Sequence, residues 1–344
     1  EQIELQQPPA IGGKPEISWL NILLAPALTI CVMLVISLTL LMSMNMLYFM
    51  IPTTLISAIM SVLRYRSEKN KHIQKQNLRF EKYGEYLNDQ IQILTKLEEK
   101  QRRILNSVNP SSDACVRIAT QMERSLWDRR LSDRDFLTLR LGLGNVSSSV
   151  SIIAPKQQFS LAPDDLEAKT RQIAQEYKFV SDCPITVSLK EHPTCGIIGS
   201  RASMLTLAKN LIVQAAVHQS YSDLRIVLIV DKEEWSEWSF ARWLPHVFDD
   251  SRAVRYIGDT VPTAKKLLDS LYEVLCQRST ENARNEFGIK IAHRPFFLFV
   301  CSAPELIINH KIMKFLASPE QAVGCASLFL FDSLDNLPQE CHYI

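Results

Sequence analysis

The segment TCGIIGSRASMLTLAKNLIVQAA, Thr194 to Ala216, is where phosphate chemistry would be sought in this chain. An apolar strand runs into a small polar turn and then a helix, as in nucleotide-binding α/β folds, which keep their phosphate loop there. A working loop reads Gly-x-x-x-x-Gly-Lys-Ser/Thr. Its glycines let the backbone wrap the phosphates, its lysine reaches the terminal ones, and its hydroxyl holds magnesium. Counted from Gly196, the second glycine position holds Arg201, the lysine position Ala202 and the hydroxyl position Ser203. Gly196, Gly199, Arg201 and Ser203 therefore form a vestigial loop. Arg201 can meet an anion at the helix N-terminus, but without the second glycine the usual wrap is lost. The expectation is a P-loop-like domain unable to hydrolyse ATP, with no catalytic residue and no metal site.

An acid to hold magnesium should follow an apolar strand. Asp231, after LRIVLIV, and Asp332, after SLFLF, stand in such positions, and Glu305 follows PFFLFVC at greater distance. A strand-end aspartate is more often a turn former than a ligand. His246, in WLPHVFDD, has Asp249 and Asp250 nearby but no nucleophile, and is expected to pack. His192, His218, His293 and His310 are scattered without metal spacing. The cysteines Cys31, Cys115, Cys183, Cys195, Cys276, Cys301, Cys325 and Cys341 form no Cys-x-x-Cys pair, and read as reduced, mostly buried thiols. Trp235, Trp238, Phe240 and Trp243 read as core, with an interface as the alternative.

The elements that must position these residues follow from periodicity. Apolar runs at Cys195–Gly199, Leu224–Val230, Val254–Gly258, Pro295–Cys301 and Ala326–Phe331 alternate with helical stretches at Arg201–His218, Trp235–Trp243, Pro262–Arg284 and Pro304–Ala317. Continuous apolar strands separated by helices indicate a parallel sheet covered on both faces. Upstream, Ser111 or Ser112 caps a helix running to Trp127. Phe136–Leu141 reads as a strand ended by Gly142 and Gly144, Val150–Ile153 as a second, and Asp164–Tyr177 as a helix. Apolar residues at threes and fours from Phe80 to Val108 (Tyr83, Leu87, Ile91, Leu94, Leu97 and Ile104 among them) mark one helical stripe. It reads as a stalk that pairs with a partner helix or folds onto its neighbours.

No Asp, Glu, Lys or Arg occurs from Ile17 to Leu63. Such a run makes a helix of about 70 Å, too long for one crossing of a bilayer core of about 30 Å. It divides into two spans, about Trp19–Met42 and Met46–Leu63, around the polar turn Ser43–Asn45. Arg64, Arg66, Lys69, Lys71, Lys75, Arg79 and Lys82 crowd behind the second span, which puts both termini and the bulk of the chain in the cytoplasm. The expected organisation is a linker at Glu1–Glu16, a transmembrane hairpin at Ile17–Leu63 and a stalk helix at Arg64–Val108. A stalk-proximal helix and strands follow at Asn109–Asp182, then a degenerate ATPase-like α/β domain at Cys183–Ile344. With 38 basic and 37 acidic residues and no clustered basic groove, a nucleic-acid partner is not expected. The basic flank fits a lipid bilayer instead.

The hairpin, the basic stalk, LWDRR…SDRDFLTLRLGLG, GIIGSR and WLPHVFDD together resemble the membrane-anchored FtsK/SpoIIIE-type ATPases of type VII secretion, the EssC/EccC family. The similarity runs from Ile3 to Ile344, and IELQQPPAIGG looks more like the Firmicute branch. The resemblance implies a cell-membrane protein whose first, degenerate domain precedes active ATPase domains that take ATP and magnesium beyond Ile344. LPQECHYI would be the last strand of the first domain. It also implies homo-oligomers, hexameric in the assembled machine, other type VII secretion membrane components as partners, and WXG100-type substrates met through the downstream domains. The chain then anchors and couples a protein secretion motor. The alternatives are an active nucleotide-binding ATPase domain with an unusual loop, or an FtsK-type DNA translocase component.

Overall fold

The computed structural model describes residues 2–10, 27–28, 30–32, 35, 45–155, 164–284, 292–317, 323–331 and 341. The chain forms a mixed α/β structure of two compact units, Glu1–Glu99 with Ser147–Phe179, and Lys100–Val146 with Val180–Ile344. Among the described residues no helix is long and apolar enough to cross a membrane. Most of the expected first span, Trp19–Met42, lies outside them, as does LPQECHYI apart from Cys341.

The first unit contains strand β1 (Gln2–Glu4) and helix α1 (Asn45–Val108) as far as Glu99. Its 64 residues make α1 about 96 Å long. Part of the expected linker is therefore folded. β1 pairs in parallel with β3 (Ser151–Ile153), Ile3 opposite Ile152, and Leu5 is 1% exposed. The alternation of Ile3 and Leu5 with polar neighbours was enough for a strand once β3 offered an edge. Asp164 caps α3 (Asp165–Glu176), accepting from the Leu166 N–H at 3.1 Å and pairing with Arg79. The α1 stripe closes on this unit: Tyr83, Leu87 and Leu94 are buried with Val150, Leu166 and Ile173. The Tyr83 hydroxyl donates to the Gln6 carbonyl at 2.6 Å and lies 2.9 Å from the Thr170 hydroxyl.

In the second unit α2 (Ser112–Gln121) is capped by Ser111 and ends at Met122 in the left-handed region, φ 51°, short of the expected Trp127. Strand β2 (Thr138–Ser147) pairs with β4 (Phe179–Ser188) and runs through both glycines expected to end it. Gly144 is a close-approach position, since a Cβ there would meet Ile185 Cγ1 at 2.9 Å.

Five strands, β5 (Thr194–Ile198), β6 (Leu224–Ile229), β7 (Ile257–Gly258), β8 (Phe296–Cys301) and β9 (Cys325–Phe331), form a parallel sheet in the order β5-β9-β8-β6-β7. Successive residues face opposite ways. Ile226, Leu228, Leu298, Val300, Leu328 and Leu330 meet α4 (Arg201–His218) on one face, with the short helix α5 (Trp235–Trp238) and the 3-10 turn Ser239–Trp243. Val227, Ile229, Phe299, Cys301, Phe329 and Phe331 meet α6 (Val261–Ala283) and α7 (Met313–Leu316) on the other. Burial on both faces explains why these strands read as unbroken apolar runs.

LWDRR ties this unit together at the helix ends. The Trp127 N–H donates to the Val217 carbonyl at 2.8 Å, its indole to the Ala216 carbonyl at 3.0 Å, and the Arg129 N–H to the His218 carbonyl at 3.1 Å. These three bonds take up carbonyls that the end of α4 leaves open. The Arg129 side chain, 5% exposed, donates to the Val108 carbonyl at 2.6 Å and the Thr138 carbonyl at 2.7 Å, and faces Asp135 at 3.2 Å. Arg129→Ala would leave these acceptors without their donor in a dry place. We expect the second unit to lose about 3 kcal/mol or more in urea denaturation, and an unchanged midpoint would contradict the role given to Arg129.

Candidate functional site

The four residues of the vestigial loop do not share a loop. Gly196 lies inside β5, buried opposite Phe329, so the motif count begins within the strand. Only Gly199 and Ser200 stand between Ile198, which ends β5, and Arg201, which opens α4. Gly199 is exposed and is not among the positive-φ residues; Gly324, at φ 72°, is the one described glycine in that region. Ser200 caps α4: its hydroxyl accepts from the Ser203 N–H at 3.4 Å and lies 2.7 Å from the Ser203 hydroxyl. The Ser203 hydroxyl, at the motif's magnesium position, is thus engaged in its own helix cap.

Arg201 points across the C-terminal end of the sheet. Its Nε donates to Glu234 Oε1 and its Nη2 to Glu234 Oε2, both at 2.5 Å. Nη2 also donates to the Ser302 carbonyl at 2.8 Å and hydroxyl at 2.7 Å. The Ser302 hydroxyl donates in turn to Glu234 Oε2 at 3.1 Å. The Arg201 hydrogen bond, ahead of the opposing effect of burial, holds the Glu234 carboxyl below the usual carboxylate range. Neither Glu234 nor Ser302 carried a motif in the sequence. Their one signal is position, just after the apolar runs that become β6 and β8.

The other candidates have structural employment. Asp231 accepts from the Glu233 N–H at 2.9 Å, the turn former's role. Asp332 lies outside the described residues, and Glu305 is exposed at a 3-10 turn. Among the described residues no group of His, Cys, Asp and Glu could hold a metal ion. His246 is 1% exposed, donates through Nε2 to the Gln219 carbonyl at 2.8 Å, and meets the ring of Tyr221 edge-on. Burial pushes the thiols of Cys115 and Cys195 up to about 11 and that of Cys325 to about 12, as inert buried cysteines require. The tryptophans divide: Trp238 is fully buried, whereas Trp243 is 77% exposed under the guanidinium of Arg242.

The turn between β5 and α4 is two residues long, and the arginine that follows it is bound to the Glu234 carboxylate. No family model matches the chain. The ESX secretion system protein YukB of Bacillus subtilis (strain 168) is 28% identical over 286 residues, 83% of this chain and 19% of that protein. The type VII secretion system protein EssC of Staphylococcus aureus (strain NCTC 8325 / PS 47) is 25% identical over 346 residues, 98% of this chain and 23% of that protein. Over most of its length the chain is similar to the EssC, EccC and YukB proteins of type VII secretion systems. It spans about a fifth of the length of the curated relatives it matches. The cytoplasmic domain of the Thermomonospora curvata type VII secretion ATPase EccC aligns over 61% of this chain and 23% of its own at 15% identity. Its TM-score of 0.39 is too low to add to the argument.

Two buried histidines make stability depend on pH, because burial disfavours their charged form. Burial drives His218 down to about 3, with Arg129 adding, and His246 down to about 4. Both rings stay neutral in the fold but take up protons near pH 6.5 when unfolded. Stability is therefore full above about pH 6.5 and falls as the pH drops toward about 4. Urea midpoints measured across this range should show that decline in the second unit. His246→Gln, whose amide can still donate to Gln219, should flatten it; equal slopes would contradict the assignment.

Proposed function

We propose that this chain is the membrane-anchoring and coupling part of a type VII protein secretion motor, with a first ATPase-like domain that does not hydrolyse ATP. The observation that carries the second half is the two-residue turn between β5 and α4: it has too little backbone to surround a polyphosphate. The domain then serves as a brace and relay between the membrane and catalytic domains further along the protein. ATP and magnesium belong to those domains. The first half rests on the charge-free run Ile17–Leu63, read as a transmembrane hairpin in the bacterial cell membrane. Strand β1 and Tyr83 support an even number of crossings, because both flanks of the run are tied into the first unit. The hydrogen bond from Tyr83, after the run, to Gln6, before it, fits a run that leaves and returns on one side. The basic flank from Arg64 to Lys82 makes that side cytoplasmic. Partners on this reading are the bilayer, other type VII secretion membrane components and further copies of the chain, hexameric in the assembled machine. WXG100-type substrates engage the downstream domains, and nucleic acid has no part.

Two measurements test this. The full chain in lipid nanodiscs should release no phosphate from ATP above the protein-free rate and show no micromolar ATP binding. Micromolar binding that disappears in Arg201→Ala or Ser203→Ala would establish an active domain with an unusual loop instead. In membranes, the chain should remain in the pellet after alkaline carbonate washing; release into the wash would remove the anchor.

A further inference from the structure

Among the described strands the winding reverses between β6 and β8. From β6 the chain passes to β7 at one edge, and from β8 it passes to β9 toward the other, yet β6 and β8 are hydrogen-bonded neighbours. In open α/β sheets the crevice outside the carboxyl ends of such a pair is where ligands bind. Three elements converge there. Ser302 follows β8, and its N–H donates to the Ile229 carbonyl of β6 at 2.8 Å. Glu234 stands at the end of the turn after β6, and Arg201 reaches in from the start of α4.

We propose that Arg201 and Ser302 form an oxyanion-binding site at this switch point, and that the chain fills it with its own Glu234 carboxylate. The inference rests on the reading of the domain as one that does not hydrolyse ATP, and supplies its cause. Arg201 offers Nε and Nη2 as a fork to two oxygens of one group, the geometry that suits a carboxylate or a phosphate equally. Ser302, 1% exposed, supplies a third donor to the same oxygen that Nη2 meets. The carboxylate thus takes three donors from two elements other than its own. The Asp231 turn holds it there: the Glu233 N–H is fixed to the Asp231 side chain and the Glu234 N–H to the Asp231 carbonyl, at 2.9 and 3.1 Å. A tethered carboxylate competes at an effective concentration in the millimolar range, so a free phosphate-bearing ligand must exceed that advantage to enter. The site takes phosphate oxygens by its chemistry and is closed to them by Glu234.

Calorimetric titration of the full chain in nanodiscs with inorganic pyrophosphate, and separately with ATP, tests this. Glu234→Gln keeps the shape of the side chain and removes its charge. It should bind pyrophosphate about tenfold or more tighter than the unaltered chain. Adding Arg201→Gln or Ser302→Ala to Glu234→Gln should reverse the gain. Melting temperatures check that each variant folds. Should Glu234→Gln not fold, Glu234→Asp, which draws the charge back by one methylene, is used with the same expectation. Equal weak binding by the unaltered chain and Glu234→Gln overturns this inference alone. So does a double variant that binds as well as Glu234→Gln. Micromolar binding by the unaltered chain overturns both this inference and the proposed function. A gain for pyrophosphate and ATP alike assigns recognition to the phosphates; a gain for ATP alone places it on the nucleoside and overturns the oxyanion site.

Discussion

A guanidinium shut away from water has to find an acceptor for its donors, and Arg129 finds them at the places where this domain would otherwise come apart. The last carbonyl of α1, the first of β2 and the Asp135 carboxylate all converge on it. The backbone on either side of it is taken up by the open carbonyls of α4. Helix ends are costly to bury because their carbonyls have no intrahelical partner, and a cation beside them also answers the helix dipole. One short segment, LWDRR, therefore seals two helix ends at once. It lets α4 lie buried along the sheet rather than fray at its C-terminus.

The parallel sheet imposes the next constraint. Its strands are apolar on both faces, so helices must cover both, and right-handed crossovers then dictate which helix lies where. The connections β5-α4-β6 and β6-α5-β7 cover one face, and β7-α6-β8 and β8-α7-β9 the other. That division creates a crevice between β6 and β8 as a matter of topology, whether or not a ligand is ever bound. In many folds of this type a nucleotide occupies it. Here an arginine and a glutamate from the chain itself meet there, with Ser302 between them.

Much of this architecture was legible from periodicity. The runs around Leu224, Pro295 and Ala326 become β6, β8 and β9, and Arg201–His218 is α4 to the residue. The helix read over Asp164–Tyr177 is α3, with Asp164 as its cap. The misreadings share a cause. Gly142 and Gly144 look like strand terminators, but Gly144 is small because Ile185 approaches it. Gln2–Glu4 looks like linker, but becomes a strand once β3 supplies a partner from far along the chain. Gly196 looks like the first glycine of a loop, but hydrogen bonding to β9 keeps it in the strand. Each reading used only local residues where a distant neighbour decided the outcome.

What the sequence determined by itself is the content of each layer. Charge-free runs, doubly apolar strands and amphipathic helices follow from residue types a few positions apart, and the lost lysine and glycine of the phosphate loop can be counted directly. What only the tertiary structure decided is which charges meet. Arg201, Glu234 and Ser302 are 33 and 68 residues apart along the chain, and no spacing rule joins them. They become neighbours because α4, β6 and β8 end on the same rim of one twisted sheet. Electrostatic pairing depends on distance in space, which the order of residues does not encode until the sheet is wound.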